Sequence, residues 1–362
     1  MKKVLLIGPF PKPITGVSLA NQVVVENLNK KKGYKVNFVN TAFKKFDEKL
    51  GGLSLSKVLF YLKLNLHCYK ILNSDVVYIT PGQTFFGLLK YLVFIVITKI
   101  LGKELIIHIH GNYLGTEYSL LRGIKKKIFK CILSQTSKGI VLSESLSGNM
   151  SPFVHKNKVF ILYNFVQNFL ITDKKTIDSK LTQLKPKIIF LSNLMEEKGI
   201  FDLLEALRIL EKKGFEYEAK IAGNLDTTHE EKLQTYIKTL KNTKYVGVVS
   251  GKNKKDLLLW ANIFILPTYY KMEGQPISIL EAMATGNMII TTKHAGIPDI
   301  FKNEINGYYV EKKNSNSIVE IIQSLDIQSD RFQKILRHNY VIAKKNYRPE
   351  NFINNLINIF ET

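Results

Sequence analysis

Residues 263–299 read IFILPTYYKMEGQPISILEAMATGNMIITTKHAGIPD, and their reading decides the fold. The apolar run Ile263 to Leu266, ended by Pro267, predicts a buried strand. A polar loop follows over 268–275. Pro276 then takes the first position of a helix, where a missing N–H is no loss. Ile277, Leu280, Met283 and Ala284 supply the inward face of that helix, and Gly286 stops it. Met288 to Thr292 predicts the next strand. The result is a βαβ unit whose loop lies at the carboxyl edge of a parallel sheet, where such sheets bind ligands.

Two carboxylates stand in this unit. Glu273 lies in the loop before the helix and Glu281 about a turn and a half inside it. Helix-start residues Gly274, Gln275, Pro276 and Ile277 line the same crevice, where unbonded N–H groups favour an anionic or polyhydroxyl ligand. Glu281, flanked by Leu280 and Ala282, is expected to be part-buried and so to need donors. The vicinal hydroxyls of a ribose would supply two, and Glu273 would hold a second sugar. The alternative is that Glu281 caps a neighbouring loop and Glu273 is solvated.

The segment EGQPISILEAMATG closely resembles the E-x7-E signature of glycosyltransferase family 4, and AGIPDIFKNEINGYYV resembles that family's following segment. The resemblance is densest from Ile188 to Val310. It implies an α/β chain of two Rossmann-like doubly wound domains facing a cleft, the GT-B fold. It also implies retaining transfer from a nucleotide diphosphate sugar. SNLMEEKG, residues 192–199, resembles the family's G-R-L-x-x-x-K-G. Lys198 matches the lysine, whose ammonium suits a diphosphate leaving group. Ser192 replaces the glycine and Asn193 the arginine, which removes a bidentate phosphate fork.

At 362 residues the chain exceeds one comfortable core, and two domains are expected. They are placed at 1–165 and 187–345, with a polar linker over 166–186. A terminal segment, 346–362, is expected by the resemblance to pack back on the first domain. Residues 1–165 hold 24 Lys and Arg against 7 Asp and Glu, a net +17, whereas the remainder carries only +5. An anionic membrane leaflet and nucleic acid both attract such a half, though a general lysine bias is an alternative. Aromatics do not interleave with the lysines as single-strand binding needs, so nucleic acid is not expected.

Lys2 to Gly8 predicts a strand that opens the chain with no secretory signal before it, followed by a loop and a helix opened by Thr15-Gly16. Gly16 would let the backbone approach a phosphate or sugar closely, or simply make a turn. Further strands are expected at Lys35 to Asn40, Asp75 to Ile79 and Leu105 to His110. Phe43 to Gly52 reads as irregular, Leu55 to Leu72 as helical, and Phe85 to Leu101 as one helix too interrupted by lysines to span a bilayer. Gly123 to Leu133 is a basic helix, solvated or docked to lipid phosphate. Period two puts His108 and His110 on one face; the resemblance assigns His110 a hydrogen bond to the donor sugar. No D-x-D pair or ligand cluster appears, so neither a metal nor a cofactor is expected. Cys68 and Cys131 lack metal-like spacing and read as reduced thiols of a cytoplasmic protein.

The implied activity is transfer of a hexose-type sugar to a hydroxyl of a lipid-linked saccharide acceptor in cell-surface polysaccharide synthesis. His110, Glu273 and Lys198 would be catalytic, and the enzyme would be peripheral on the inner face of the plasma membrane. A nucleotide-sugar epimerase of the same shape is the alternative.

Overall fold

The computed structural model describes residues 1–43, 55–225 and 229–362. Two compact units emerge: residues 1–164 with 352–362, and residues 165–351. Each is a six-stranded parallel sheet with helices, the α/β arrangement expected.

In the first unit the strands are β1 (Lys2–Gly8), β2 (Tyr34–Asn40), β3 (Val76–Ile79), β4 (Glu104–Ile109), β5 (Lys138–Val141) and β6 (Val159–Ile161). Their order is β2-β1-β3-β4-β5-β6. The apolar runs Leu5–Ile7, Val76–Ile79 and Leu105–Ile107 are wholly buried, as central parallel strands covered on both faces must be. The helix Gly16–Leu28 is opened by Thr15 and Ser18, which cap each other's backbone. Phe352–Thr362 completes this unit: Lys138 Nζ donates to the Ile359 carbonyl at 2.8 Å, and Tyr34 Oη to Glu361 at 3.0 Å.

In the second unit β7 (Lys187–Leu191), β8 (Glu218–Ala222), β9 (Thr243–Tyr245), β10 (Ile263–Leu266), β11 (Met288–Thr291) and β12 (Gly307–Tyr309) lie in the order β12-β11-β10-β7-β8-β9. The first strand, β7, sits beside the fourth, β10, so the order reverses between them. Loops leaving two such strands diverge to opposite faces and open a crevice at the carboxyl edge.

Several expectations are corrected. Pro276 is the cap before the helix, which spans Ile277–Ala284. That helix is buried from Ile279 to Ala284, whereas Ile277 is only half-buried. The single helix expected over 85–101 is two, Phe85–Leu89 and Leu92–Ile100, broken at Lys90-Tyr91. The helical stretch 55–72 runs as an α-helix, Leu55–Asn65, and then a 3-10 helix, Leu66–Ile71. The irregular stretch from Phe43 lies, from residue 44 on, outside the described residues. The 166–186 segment is no bare linker. It belongs to the second unit and carries the helix Lys174–Lys180, with Ile177 and Lys180 buried. Lys180 Nζ donates to the carbonyls of Leu258 (3.2 Å) and Thr285 (2.6 Å) and to Asn287 Oδ1 (3.2 Å). It thereby ties together the helix Gly251–Trp260 and the carboxyl end of Ile277–Ala284.

Candidate active site

In the second unit, β7 and β10 deliver their loops to the crevice at the switch point. Gly199 brings the two loops together. Its φ of +78° is open to glycine, and a Cβ there would stand 2.5 Å from the Pro267 ring and carbonyl. The neighbouring Tyr269 N–H donates to the Glu197 carbonyl at 2.8 Å. This clamp sets Lys198 Nζ 2.7 Å from Glu273 Oε2, with both side chains largely buried. Thr268 Oγ1 donates to the same carboxylate oxygen at 3.0 Å, and the Tyr270 ring lies 4.9 Å from the Lys198 ammonium. On the other side of the loop, His294 bonds the Tyr270 carbonyl at 2.8 Å through Nε2, and the Gly296 N–H donates to the Gly274 carbonyl. Burial holds His294 below its ordinary pKa, and Lys312 at 3.0 Å from Nδ1 acts in the same direction.

Glu281, 2% exposed, is paired with Lys254 Nζ at 2.5 Å, a lysine of the helix Gly251–Trp260. Burial pushes the Glu281 carboxyl upward and Lys254 partly counters it. The two glutamates are thus each held by one lysine, and neither is solvated. Gln275 and Pro276 are buried beside them, and Gly274 anchors the loop to Gly296. Asn193, at the position of the family arginine, is exposed. Sequence reasoning missed Lys254. It sits in the run GKNKKD among three lysines, and no local pattern separates it from its neighbours.

In the first unit, Gly16 is exposed at the first position of its helix. His108 and His110 do share a face, with ring centroids 3.9 Å apart. Tyr78 Oη bonds His108 Nδ1 at 2.5 Å, and the Nε2 atoms of both histidines are buried with no partner among the described residues. Burial drives His110 down to about 3 and His108 well below its ordinary value, so both imidazoles are neutral. A groove of ≈ 450 Å³ lies beside the edge strand, lined by Phe10, Gln22, Glu26, Phe38 and Asn40. Among the described residues no group of three or more His, Cys, Asp or Glu is placed to hold a metal ion.

Comparison with known proteins meets this geometry. Residues 173–346 match the sequence model of the family Glycosyl transferases group 1. The amylovoran biosynthesis glycosyltransferase AmsK of Erwinia amylovora is 30% identical over 144 residues, 38% of this chain and 35% of that protein. The capsular polysaccharide biosynthesis glycosyltransferase CapM of Staphylococcus aureus is 26% identical over 210 residues, 55% of this chain and 54% of that one. The chain thus spans about a third to a half of these relatives' lengths. Among solved structures, Anabaena Alr3699/HepE in complex with UDP-glucose superposes with a TM-score of 0.74 at 16% identity, covering 100% of both chains. Sucrose-phosphate synthase from Thermosynechococcus elongatus gives 0.76 at 15% identity, covering 100% of this chain and 98% of that one. In fold the chain is a two-domain GT-B protein, and Lys198, Lys254, Glu273 and Glu281 all lie within the residues that match the group 1 glycosyl transferase model.

Proposed function

We propose that this protein transfers a hexose-type sugar, with retention of anomeric configuration, from a nucleotide diphosphate sugar to a hydroxyl of a lipid-linked saccharide acceptor in surface-polysaccharide synthesis. One observation carries the reading: two buried carboxylates, each paired with a lysine, stand at the switch point of the sheet inside the group 1 match. A carboxylate buried inside the helix Ile277–Ala284 has the acceptor atoms for vicinal hydroxyls, and Glu281 is assigned to the ribose. Lys198 is assigned to the diphosphate, where its charge would stabilise the leaving group as the glycosidic bond breaks. Binding of phosphate would draw Lys198 from Glu273 and free that carboxylate for the sugar hydroxyls. Gly274, Gln275, Pro276 and Ile277 would line the donor at the helix start, where N–H groups lack intrahelical acceptors. Lys254 takes the charge-balancing part that the missing arginine at Asn193 leaves open.

In the first unit, the neutral His110 is assigned a hydrogen bond to a sugar hydroxyl and Gly16 close approach to the donor. The Phe10–Phe38 pair with amide and carboxylate groups around it supports saccharide binding there. The leaving phosphate would help deprotonate the acceptor, so no protein nucleophile and no metal is assigned. The description of the relatives as transferases favours transfer over epimerisation. The strongly basic first unit supports peripheral binding to an anionic cytoplasmic leaflet.

The test is a melting-temperature screen against UDP- and GDP-sugars, followed by transfer assays on the stabilising donor. A rise with one donor class, and loss of transfer by a hundredfold or more in Glu281→Ala, is the expected result. Full transfer by Glu281→Ala ends this reading. NMR of the product's anomeric centre tests retention, and activity in chelator tests metal independence.

A further inference from the structure

The first unit exposes a band of large apolar side chains. In the helix Leu55–Asn65, Leu59, Leu62 and Leu66 just beyond it recur at three and four residues and share one face. At Leu66 the backbone tightens to a 3-10 helix, in which every third residue eclipses. The line therefore continues through Tyr69 to Leu72, while Leu64, Cys68 and Ile71 turn into the core. Leu66 is 75% exposed and Tyr69 62%. The helix Leu92–Ile100 packs on the 3-10 segment and buries Phe94, Ile95 and Thr98. Its outward face holds Val93, Val96 and Ile100, the last 76% exposed. Lys90 joins the two elements, its ammonium 5.1 Å from the Tyr61 ring and 5.2 Å from that of Tyr91.

Scattered single apolar residues are normal on a surface; a band along two neighbouring helices marks an interaction site. Its charge names the occupant. Lys63, Lys70, Lys99 and Lys103 bracket the band, and between Leu59 and Lys103 the sequence has one acidic residue, Asp75. That carboxylate accepts the Lys3 backbone N–H at 2.7 Å. No described helix is long and apolar enough to cross a membrane. Apolar side chains set among lysines on amphipathic helices match an anionic bilayer interface. We infer that the face formed by residues 59–72 and 92–103 seats on an anionic lipid bilayer, its apolar side chains at the acyl boundary and its lysines among the headgroups. This rests on the membrane association proposed above for the first unit, to which it adds the face and an apolar component.

Co-sedimentation of the full chain with phosphatidylcholine vesicles, with and without phosphatidylglycerol, tests it. The expected result is binding to anionic vesicles at least tenfold tighter than to neutral ones. Lys63→Gln with Lys99→Gln and Lys103→Gln should cost roughly fivefold per lysine. Leu66→Gln with Ile100→Gln, which leaves charge unchanged, should weaken binding about tenfold. Val248→Gln, at a 71%-exposed position of the second unit, should change nothing. Equal binding to neutral vesicles, or full binding by the Leu66/Ile100 variant, overturns the inference. So does a dimer in sedimentation equilibrium that Leu66→Gln dissolves, since a second copy would then own the face. Melting temperatures with and without nucleotide sugar are read on the same samples. Vesicle binding without any nucleotide-sugar stabilisation sinks the transfer reading alone, and the converse sinks this one alone.

Discussion

The two units bury ionisable groups alike and treat their charge oppositely. In the second unit Glu273 and Glu281 each have an ammonium within hydrogen-bond distance, at 2.7 and 2.5 Å. In the first, His108 meets the Tyr78 hydroxyl and the His110 ring, and the pair becomes neutral. Burial penalises charge at both places; a partner of opposite sign decides whether charge survives. On the reading proposed above, the paired arrangement of the second unit would serve a diphosphate sugar and the neutral one of the first would offer uncharged hydrogen-bonding edges.

The contrast breaks most sharply at the lysines. Lys198→Ala should lower kcat by about 10²–10³, the loss expected when one group that meets developing charge is removed. Lys254→Ala should mainly weaken donor binding and, by leaving Glu281 buried and unpaired, cost about 3 kcal/mol of stability. Steady-state kinetics with thermal unfolding separates the two; identical profiles would show that the pairs do not divide the work as assigned.

A smaller effect is expected at the clamp between the loops. Gly199→Ala places a Cβ in a left-handed residue against Pro267 and should destabilise by about 2 kcal/mol. It should also raise KM for the donor, because Lys198 and Glu273 lose their register. An unchanged melting temperature would show that the loops are held by other contacts.

The effect smallest at neutral pH, growing only towards acid, is that of the histidine pair. The folded pKa of His110 is depressed to about 3 from an ordinary 6.5, so between those values the unfolded chain binds more protons. Stability contributed by the neutral pair is fully present above about 6.5 and falls as pH drops towards 3. His110→Gln should flatten that slope in urea titrations at successive pH values, and a slope equal to the parent's would place the acid sensitivity elsewhere. Tyr78→Phe should leave the slope in place, since burial and not the phenol sets the direction.

Much of this was legible from residue order. Runs such as Ile263–Leu266, and the proline and glycine that bracket the helix carrying Glu281, announce a βαβ unit because burial on both faces demands continuous apolar strands. Local signals were weaker where the chain changes course. Lys90-Tyr91 interrupts an apolar stretch that reads as one helix, because Lys90 turns to the aromatic rings instead of continuing the face. The 166–186 segment looks like a polar linker because Lys180, its decisive residue, is a lysine that lies buried on carbonyl groups of distant helices.

The amino-acid sequence by itself determined the alternation of strands and helices, the two carboxylates with seven residues between them and the concentration of positive charge in the first half. Those features are written in periodicity and composition. Tertiary structure alone decided which lysines meet the carboxylates, across 75 positions for Lys198 and 27 for Lys254. It also decided that two histidines lose their charge and that an apolar band stays uncovered. The reason is that strand order within a sheet, which no local pattern encodes, chooses the neighbours of a side chain, and neighbours set its charge and its exposure.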